Sequence, residues 1–399
     1  MKVRNIKALV PFKGYVVTQV SFEEIGAQIN LDFDGRCGPR CPRCDARLPR
    51  NKLGMRAVMD CPVPNGTAVY LTFPTVQGFC ARCQHYVTTC PQEVHPSCQA
   101  TWRLMRAVST WASVASNSAV AAVFEISDAT VRRYDKLVLA EELPPPCLDG
   151  RRKLLIDEKN LGKARGFVTV ILDGDTGELL HMAEGRKKES VESFLMQLTD
   201  EQKKSIVAVG IDRSGAYQSA VEEHLPKAEI VFDRFHLMMN LNEAVDEVRR
   251  TVCREATADD RRLLKGQRYL ILANQENLDE QGQARLKELL EANESISTAY
   301  ILKEQFRAIF GYRRAGWARR SLANWCALAE ASGLAPFRRL ARSFARHADK
   351  VCAFVKHGLT SGLIEGFNNI VSRLIHKACG VRDLDYLELR LRHHTAMRA

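Results

Sequence analysis

Two short apolar runs that each end in an acidic residue constrain this chain more than any other feature. Residues 151–158 read Arg-Arg-Lys-Leu-Leu-Ile-Asp-Glu, and residues 205–212 read Ser-Ile-Val-Ala-Val-Gly-Ile-Asp. Runs of Leu, Ile and Val predict central strands that are buried on both faces, with Asp157 and Asp212 at their ends. A third acid, Glu365, opens a predicted helix far downstream. Carboxylates held on a rigid sheet suit a two-metal site for phosphoryl transfer, because Mg²⁺ prefers hard oxygen ligands.

The charge balance of the chain indicates a polyanionic partner. Its 399 residues include 58 Lys and Arg against 47 Asp and Glu, a formal net charge of +11. Neutralising nucleic-acid phosphates needs such an excess, although a solvated basic surface would give the same balance. There is no apolar run long enough to span a bilayer and no signal-peptide core at the start. We therefore expect a cytoplasmic protein that binds nucleic acid and no membrane.

Eight of the thirteen cysteines lie within the first 98 residues. Without a secretion signal, clustered cysteines favour a metal site over disulfides. Two C-x-x-C motifs, each presenting two thiolates to one tetrahedral ion, predict a structural zinc ribbon within residues 1–100, with Cys41, Cys44, Cys80 and Cys83 as ligands. A second site is a minor alternative, because its candidate ligands match no zinc spacing: Cys37, Cys61, Cys90, Cys98, His85 and His95.

Residues 101–143 have the pattern of a helix-turn-helix DNA-binding domain. A helix of small residues at 118–124 is followed by a break and by a second helix, for which Ser127 is a suitable N-cap. The second helix carries the basic residues Arg132, Arg133 and Lys136, which we expect to contact DNA. An ordinary helical hairpin is the alternative, but the neighbouring zinc motif and the basic charge favour DNA binding. Three prolines then open a stiff linker over 144–150.

Residues 151–399 predict an α/β domain. Three strands, a helix, a strand, a helix and a fifth strand follow one another, the order of the ribonuclease-H-like fold. In that fold the first and fourth strands are neighbours and supply two aspartates, which here are Asp157 and Asp212. The fifth strand ends at Asp233, which is an alternative second acid, although strand order favours Asp212. Residues 237–358 then predict a long helical insertion, in which we expect Trp317 and Trp325 to be core residues.

The last predicted motif combines an apolar and a polar stripe on one helix. Leu363, Phe367, Ile370 and Leu374 form the apolar stripe, and Glu365, Asn369, Ser372 and His376 form the polar one. Glu365 could lean towards the aspartates, or it could be a solvated residue that favours the helix dipole. The adjacent Gly366 and Asn368 are poor helix formers, which favours a functional position.

These motifs resemble those of bacterial insertion-sequence transposases of the DDE type, specifically the ISL-three group. The matching stretches are Asp157-Glu158-Lys159, Gly185-Arg186, 212–217 (Asp-Arg-Ser-Gly-Ala-Tyr), 232–236 (Phe-Asp-Arg-Phe-His), 244–249 and 365–369 (Glu-Gly-Phe-Asn-Asn). The resemblance implies that Asp157, Asp212 and Glu365 are a catalytic triad that holds Mg²⁺ (or Mn²⁺). Asp233, His236 and Asn368 would support them. The chain departs from the family in having more cysteines than four zinc ligands require.

The expected function is that of a bacterial, nucleoid-associated transposase. It would bind the terminal inverted repeats of its element, let water cut the DNA to leave a 3′-hydroxyl, and join that hydroxyl to target DNA. Because two ends must be held together, we expect a homodimer or larger assembly on double-stranded DNA. An inactive DNA-binding regulator derived from a transposase is the alternative, but the acidic triad is intact. A structure-specific nuclease is a second alternative, less suited to the zinc and helix-turn-helix motifs.

Overall fold

The computed structural model describes residues 12–24, 26–49, 52–63, 66–162, 165–255, 266–359, 362–377 and 383–396. Parts of the predicted regions lie outside these ranges. They are residues 1–11, 25, 50–51 and 64–65 of the zinc-binding region, residues 256–265 of the helical insertion, and residues 163–164, 360–361, 378–382 and 397–399 of the catalytic domain. The described residues form two compact units, one up to Pro144 and one from Pro145 onward apart from Lys377. Within these ranges no helix is both long and apolar enough to cross a membrane.

The first unit begins with a mixed five-stranded sheet. Its strands are β1 (Tyr15–Glu23), β2 (Gly26–Phe33), β3 (Lys52–Asp60), β4 (Val69–Cys80) and β5 (His85–Thr88). The order is β1-β2-β4-β3, with β5 paired to β4; only the β2–β4 pair is parallel. Alternate residues of β4, such as Leu71 and Phe73, are fully buried, because successive strand residues point to opposite faces. The sequence had not predicted β3.

Three helices complete the first unit: α1 (Trp102–Val114), α2 (Asn117–Phe124) and α3 (Asp128–Glu142). The Ser127 side chain accepts a hydrogen bond from the backbone N–H of Thr130, so the predicted N-cap is confirmed. Glu125 ends α2 in the left-handed conformation, at φ 54°. Between α1 and α3, the Ser109 hydroxyl donates a buried hydrogen bond of 2.6 Å to Asp135. The two helices around the 125–127 break therefore pack as a well-defined pair against α1.

The second unit contains the sheet that carries the predicted acids. Its strands are β6 (Lys153–Asn160), β7 (Phe167–Asp173), β8 (Leu179–Glu184), β9 (Ala208–Ile211) and β10 (Glu229–Phe232). The order is β10-β9-β6-β7-β8; β10, β9 and β6 are parallel, and β7 and β8 are antiparallel to their neighbours. The first and fourth strands are thus neighbours, as predicted. Between the strands run α4 (Lys188–Leu195), α5 (Asp200–Ser205) and α6 (Gly215–His224).

Both faces of this sheet are covered by apolar side chains. Leu154 and Ile156 of β6 belong to one buried cluster, which continues into the helices between β10 and the C-terminal region. Leu155 belongs to a second cluster on the opposite face, together with Phe367 and Ile370. The strands are buried on both sides, which explains why they read as continuous apolar runs.

The described residues after β10 are almost entirely helical. The helices are α7 (Arg234–Glu255), α8 (Arg268–Leu272), α9 (Glu280–Ala292), α10 (Glu294–Ile309), α11 (Ala315–Ala331), α12 (Ala335–Arg346), α13 (Ala348–Cys352), α14 (Phe354–His357), α15 (Gly362–Lys377) and α16 (Leu384–Ala396). Trp325 is buried between Phe306 and Phe344, and its indole N–H donates to the Leu302 carbonyl. The prediction for Trp317 was wrong: its side chain is 52% exposed, because the neighbouring Ala318 faces the core instead.

The apolar stripe of α15 packs against the sheet face that contains Leu155. Phe367 and Ile370 are buried there, as predicted, while Leu363 and Leu374 are only partly buried. Ile364 and Val371 are also buried, so the buried face of α15 is rotated slightly about the helix axis from the predicted apolar stripe. This packing places the first turns of α15 beside the carboxyl end of β6.

Candidate active site

Three aspartates lie on three neighbouring parallel strands: Asp212 and Asp233 directly follow β9 and β10, whereas Asp157 lies within β6, which continues to Asn160 and not, as predicted, only to Asp157. In β6 and β9, Leu155 pairs with Gly210, so the same register two residues later sets Asp157 opposite Asp212. Phe232 pairs with Ile211, and the Asp233 N–H donates to the Ile211 carbonyl at 2.9 Å. Neighbouring strands are roughly 4.8 Å apart, so these three positions form a row of acids.

The side-chain alternation of the strands determines which face these acids occupy. Leu155, Ala208 and Val231 all belong to the apolar cluster on the α15 face of the sheet. Residues at even spacing in a strand share a face. Asp157 follows Leu155 by two residues, Asp212 follows Ala208 by four, and Asp233 follows Val231 by two. Asp157 is therefore directed to the face on which α15 packs, and Asp212 and Asp233 continue the same alternation one residue beyond their strands.

Asn368 connects α15 directly to the first aspartate. Its side-chain Nδ2 donates a hydrogen bond of 3.1 Å to Oδ2 of Asp157, which is only 6% exposed. Lys159, two residues along β6, donates from Nζ to the Asn368 carbonyl at 3.3 Å and to the Ser372 hydroxyl at 3.2 Å. These contacts fix the start of α15 against the end of β6. The sequence motif contained both residues but gave no sign that Lys159 would anchor the helix.

Glu365 lies one helical turn before Asn368. Residues three apart share a helix face, so Glu365 is on the side of α15 that meets the sheet edge. Its side chain is exposed. Within the part of the chain that the structure describes, the carboxylate oxygens of Asp157, Asp212 and Glu365 do not all come within 4.8 Å of one another. The fold thus brings Asp157 and Asn368 into contact and leaves the Glu365 side chain exposed one turn earlier on α15.

The acids influence one another electrostatically. Burial raises the pKa of Asp157, and the negative charge of Asp233 raises it further, while the Asn368 hydrogen bond lowers it. Burial also raises the pKa of Glu158, with added repulsion from Asp212 and Asp157. Such crowding of carboxylates disfavours their ionisation unless a cation is close.

His236 provides a protonatable group next to this acidic row. Its Nδ1–H donates to Oδ2 of Asp233 at 2.8 Å, and this hydrogen bond raises the pKa of the imidazole. The charges of Asp157 and Asp212 raise the pKa of His236 further. Asp233 also accepts the backbone N–H of Phe235 at 3.1 Å. Asp233 therefore has two partners at the start of α7, which suits a supporting role.

The loop after Asp212 is held by contacts to two helices. The Ser214 N–H donates to Oδ1 of Asp212 at 2.9 Å. Arg213 donates to Asn240 of α7 at 2.9 Å and to Ser343 of α12, and its guanidinium lies 5.3 Å from the Phe344 ring. These contacts order the strand end that carries Asp212. This role of Arg213 has no signal in the sequence, because its partners Asn240 and Ser343 lie far away in the chain.

The donor atoms at this edge suit a divalent cation such as Mg²⁺. Asp157 and Asp212 carry carboxylate oxygens, the hard ligands that such an ion prefers. The side-chain oxygen of Asn368 is buried and has no hydrogen-bond partner among the described residues, although its nitrogen is bonded to Asp157. A buried acceptor without a partner is costly, and an ion or its hydration water would satisfy it.

Four cysteines of the first unit converge as a possible zinc site. The sulfurs of Cys41, Cys44, Cys80 and Cys83 all lie within 4.8 Å of one another. The distances from Cys41 to Cys83 and from Cys44 to Cys80 are 3.9 and 3.6 Å, close to the ~3.8 Å expected between ligands at 2.3 Å from tetrahedral zinc. Burial raises the pKa of the Cys41 thiol, but backbone N–H groups of Arg43 and Cys44 lower it to about 7. A hydrogen bond with Cys44 raises the pKa of the Cys83 thiol to about 12, so Cys41 forms the metal-binding thiolate more readily than Cys83 does.

The remaining cysteines of the first unit do not form a second such cluster in the described ranges. The guanidinium of Arg56 instead donates to Cys90 Sγ at 3.3 Å and to the carbonyls of His95 and Cys98. A cation is therefore already present among these groups. Another group, Glu192, Glu223 and His224, surrounds the Lys188 ammonium, which lies 3.1 Å from Glu192 and 2.6 Å from Glu223.

The basic residues predicted to contact DNA lie on α3. Arg132 and Arg133 are exposed and Lys136 is half-buried, while Val131 and Tyr134 face the core of the first unit. The helix thus has one packed face and one basic face. Exposed arginines on a helix that follows a short break are suited to contact phosphates and base edges.

Known proteins with similar sequences are transposases of insertion sequences. A family model described as a transposase, of the ISL-three DDE type, matches residues 154–391, which include all the acids above. The chain is 32% identical over 393 residues to the transposase for insertion sequence element IS1001 of Bordetella parapertussis, covering 97% of each chain. It is 29% identical over 297 residues to the transposase for IS1557 of Mycobacterium tuberculosis strain H37Rv, covering 68% of this chain and 67% of that one.

The protein is therefore a transposase in class. More specifically, the chain belongs to the ISL-three group of DDE insertion-sequence transposases, and the resemblance inferred from its motifs is confirmed.

Proposed function

We propose that this transposase binds the terminal inverted repeats of its own insertion sequence and catalyses metal-dependent DNA strand cleavage and strand transfer. The observation that carries the proposal is the row of acids at the ends of β6, β9 and β10, with α15 fastened beside it through Asn368. Nucleic-acid chemistry fits the net charge of +11.

A ribonuclease-H-like domain is the fold that best accounts for the second unit. Its strand order, with two antiparallel strands beside three parallel ones, supports that assignment. In the proposed domain organisation, residues 151–399 form this catalytic domain, and the helices between β10 and α15 are an insertion at about 237–358. Residues 1–100 and 101–143 are the proposed zinc-binding and helix-turn-helix regions, joined to it by 144–150.

In the proposed mechanism, Asp157, Asp212 and Glu365 would hold two Mg²⁺ (or Mn²⁺) ions. When bound, such ions supply charge neutralisation at the scissile phosphate and lower the pKa of the attacking water. Asn368 orients the Asp157 carboxylate and favours its ionised form. Asp233 and His236 buttress the neighbouring strand end.

The chemistry consists of two in-line displacements. Water attacks the phosphorus at the end of the element, and the bond from phosphorus to the 3′-oxygen breaks, leaving a 3′-hydroxyl on the element. That hydroxyl then attacks a phosphodiester of the target DNA and displaces the target's own 3′-oxygen. Each step exchanges one P–O bond for another, so no external energy source is required. Because two ends take part, we propose a homodimer or larger assembly on DNA.

Asn368→Ala is expected to weaken divalent-ion binding by about 10- to 100-fold, the usual effect of removing a partner that orients a ligand. The variant loses two groups of Asn368: the Nδ2 that donates to Asp157 and favours its ionised form, and the side-chain oxygen that has no hydrogen-bond partner among the described residues. Mn²⁺ affinity measured by calorimetry on the DNA-free protein tests this directly. Asn369→Ala, an exposed neighbour, is the matched control and should bind Mn²⁺ normally. Equal Mn²⁺ affinities of the two variants would show that Asn368 does not take part in ion binding.

Replacing both Arg132 and Arg133 with Ala should weaken binding to terminal-repeat DNA at least tenfold, because a base-edge arginine contributes about 1–3 kcal/mol. Each lost phosphate contact should also reduce the salt dependence by about one unit of slope. Fluorescence anisotropy at several salt concentrations measures both effects. Arg36→Ala is a suitable control, since that side chain is 88% exposed in the same unit. If the double variant binds like the control, α3 has only a structural role.

The element itself offers a test of the proposed function. DNA on either side of the gene should contain inverted repeats that bracket the reading frame, and the purified protein should protect those repeats from nuclease digestion. Protection without any cleavage by the wild-type protein in Mg²⁺ or Mn²⁺ would instead support the catalytically inactive, DNA-binding regulator. An absence of both repeats and protection would contradict the proposal.

A further inference from the structure

A cavity of about 660 Å³ lies in the second unit, where three neighbouring parallel strands begin. Its wall includes Lys153 and Glu229, the first residues of β6 and β10, and Val207, which directly precedes β9. The acidic row lies further along the same strands. Asp157 follows Lys153 by four residues, so about 13 Å of strand separates the cavity from the acids.

The charges around this cavity are mainly positive. Four Lys and Arg side chains line it against two carboxylates: Arg152, Lys153, Lys227, Lys356, Asp175 and Glu229. Both carboxylates already have cationic partners. The Lys153 Nζ lies 2.8 Å from Oδ1 of Asp175. Glu229 is paired with Lys356, and its Oε2 lies 2.9 Å from Nε2 of the buried His357.

Arg152 and Lys227 therefore carry the uncompensated charge of the cavity. In the described part of the chain neither forms an ion pair, and both side chains are exposed. With two carboxylates against four permanent cations, the lining has a net charge of +2 even when His357 is neutral. Unpaired cations on a concave surface attract a polyanion.

The residue types of the lining indicate how a polyanion would be recognised. Lys and Arg contact phosphates, which fix the position of a duplex but carry no sequence information. Asn and Gln, which pair with the edge of adenine, are absent from the described lining. The cavity thus suits the backbone of DNA of any sequence.

We propose that this cavity binds backbone phosphates of the DNA that flanks the element, across the scissile phosphate from the terminal repeat. The inference rests on the proposed function, because it assigns the second arm of the duplex that the acids cut. The flank has no fixed sequence, which matches a lining of cations without amides. It is also continuous with the strand at the acids, so roughly four base pairs of 3.4 Å each span the ~13 Å to the cavity. Holding the flank would keep the scissile phosphate between two fixed arms of duplex.

The length of the flank provides the test. Binding is measured in Ca²⁺ for the wild-type protein and for the double variant Arg152→Ala/Lys227→Ala, on terminal-repeat duplexes without a flank and with a flank of roughly 20 base pairs, which span about 70 Å. On the flanked duplex the variant should bind roughly 10- to 60-fold more weakly at about 0.1 M salt, with a salt slope lower by about two, because two phosphate contacts are lost. Without a flank the two proteins should bind equally.

Two further double variants keep the test specific. Arg152→Lys/Lys227→Arg retains both charges and should bind flanked ends like the wild type. Arg285→Ala/Lys287→Ala removes the same residue types from exposed positions of α9 that do not line the cavity, so it should show no loss that depends on the flank. Because Arg152 and Lys227 are exposed, the melting temperature of the first variant should match that of the wild type.

The inference would be overturned if Arg152→Ala/Lys227→Ala bound flanked ends normally. An equal loss with and without a flank would also overturn it, because the cavity would then hold the repeat. Strand transfer from pre-cut ends, which have no flank, should proceed at the wild-type rate, and a slower rate would place target DNA in the cavity instead. Failure of the wild-type protein to bind even the unflanked repeat would contradict the proposed function itself, and is thereby distinguished.

Discussion

Replacing Glu365 with Gln is expected to lower strand cleavage at the ends of the element by about a hundred- to ten-thousand-fold. Metal ions contribute several kcal/mol of transition-state stabilisation, and each 1.4 kcal/mol corresponds to a factor of ten in rate. Gln keeps the shape of the side chain but removes its charge, so the second ion would lose its third acidic ligand. End binding should persist, since Glu365 is an exposed residue of α15 that contributes no basic contact to DNA. Cleavage kinetics on labelled end DNA, with anisotropy for binding, separate the two effects.

The neighbouring aspartates provide the matched comparison. Asp212→Asn should reduce cleavage as strongly as Glu365→Gln, because its carboxylate lies opposite Asp157 across the parallel strands. Asp233→Asn should have a smaller effect, since Asp233 is already bound by His236 and by the backbone of Phe235. If Asp233→Asn abolished cleavage while Asp212→Asn left it intact, Asp233 would be the second catalytic acid.

Cys41→Ser is expected to release zinc and unfold the cysteine-rich part of the first unit. Few buried apolar residues surround these thiols: among the described residues, the local cluster contains Leu48 and Val87 besides Cys41 and Cys80. Structural zinc contributes about 10–16 kcal/mol of apparent binding free energy in zinc-finger peptides. A core as small as this one should therefore not stay folded without the ion. Metal analysis of the purified protein should fall from at least one Zn per chain to none.

The control for this prediction is Cys147→Ser, because Cys147 is exposed and lies outside the four-cysteine cluster. It should retain zinc and wild-type resistance to proteolysis. Undiminished zinc after the loss of Cys41, Cys44, Cys80 and Cys83 together would contradict the assignment and direct attention to Cys37, Cys61, Cys90 and Cys98.

The central part of the fold could be predicted because its signals are local. The runs that lead to Asp157, Asp212 and Asp233 are strands, although β6 continues past Asp157 to Asn160, and their parallel pairing follows from the predicted order. The two C-x-x-C motifs likewise predicted four thiols that converge in space, which they do. In both cases a short motif contains the chemistry, and the fold only has to bring two or three such motifs together.

Other features depended on contacts between distant parts of the chain. The hydrogen bond from Asn368 to Asp157 joins residues 211 positions apart, and nothing near either residue specifies it. Strand β3 was not predicted, because it contains Gly54, Ala57 and Asp60, which are residue types that strands disfavour. Trp317 was misplaced for a different reason, since helical spacing alone could not decide whether it or Ala318 faced the core.

The central claim, that the acids of β6, β9 and α15 cut DNA at the ends of the element, is tested most directly by the cleavage product itself. Purified protein is incubated with Mg²⁺ or Mn²⁺ and a duplex that contains one terminal repeat and its flanking DNA, and the new end is mapped and tested for extension by a polymerase. The account predicts a cut at the tip of the repeat that leaves an extendable 3′-hydroxyl, and no product with Asp157→Asn. Cleavage by Asp157→Asn at the wild-type rate would contradict it.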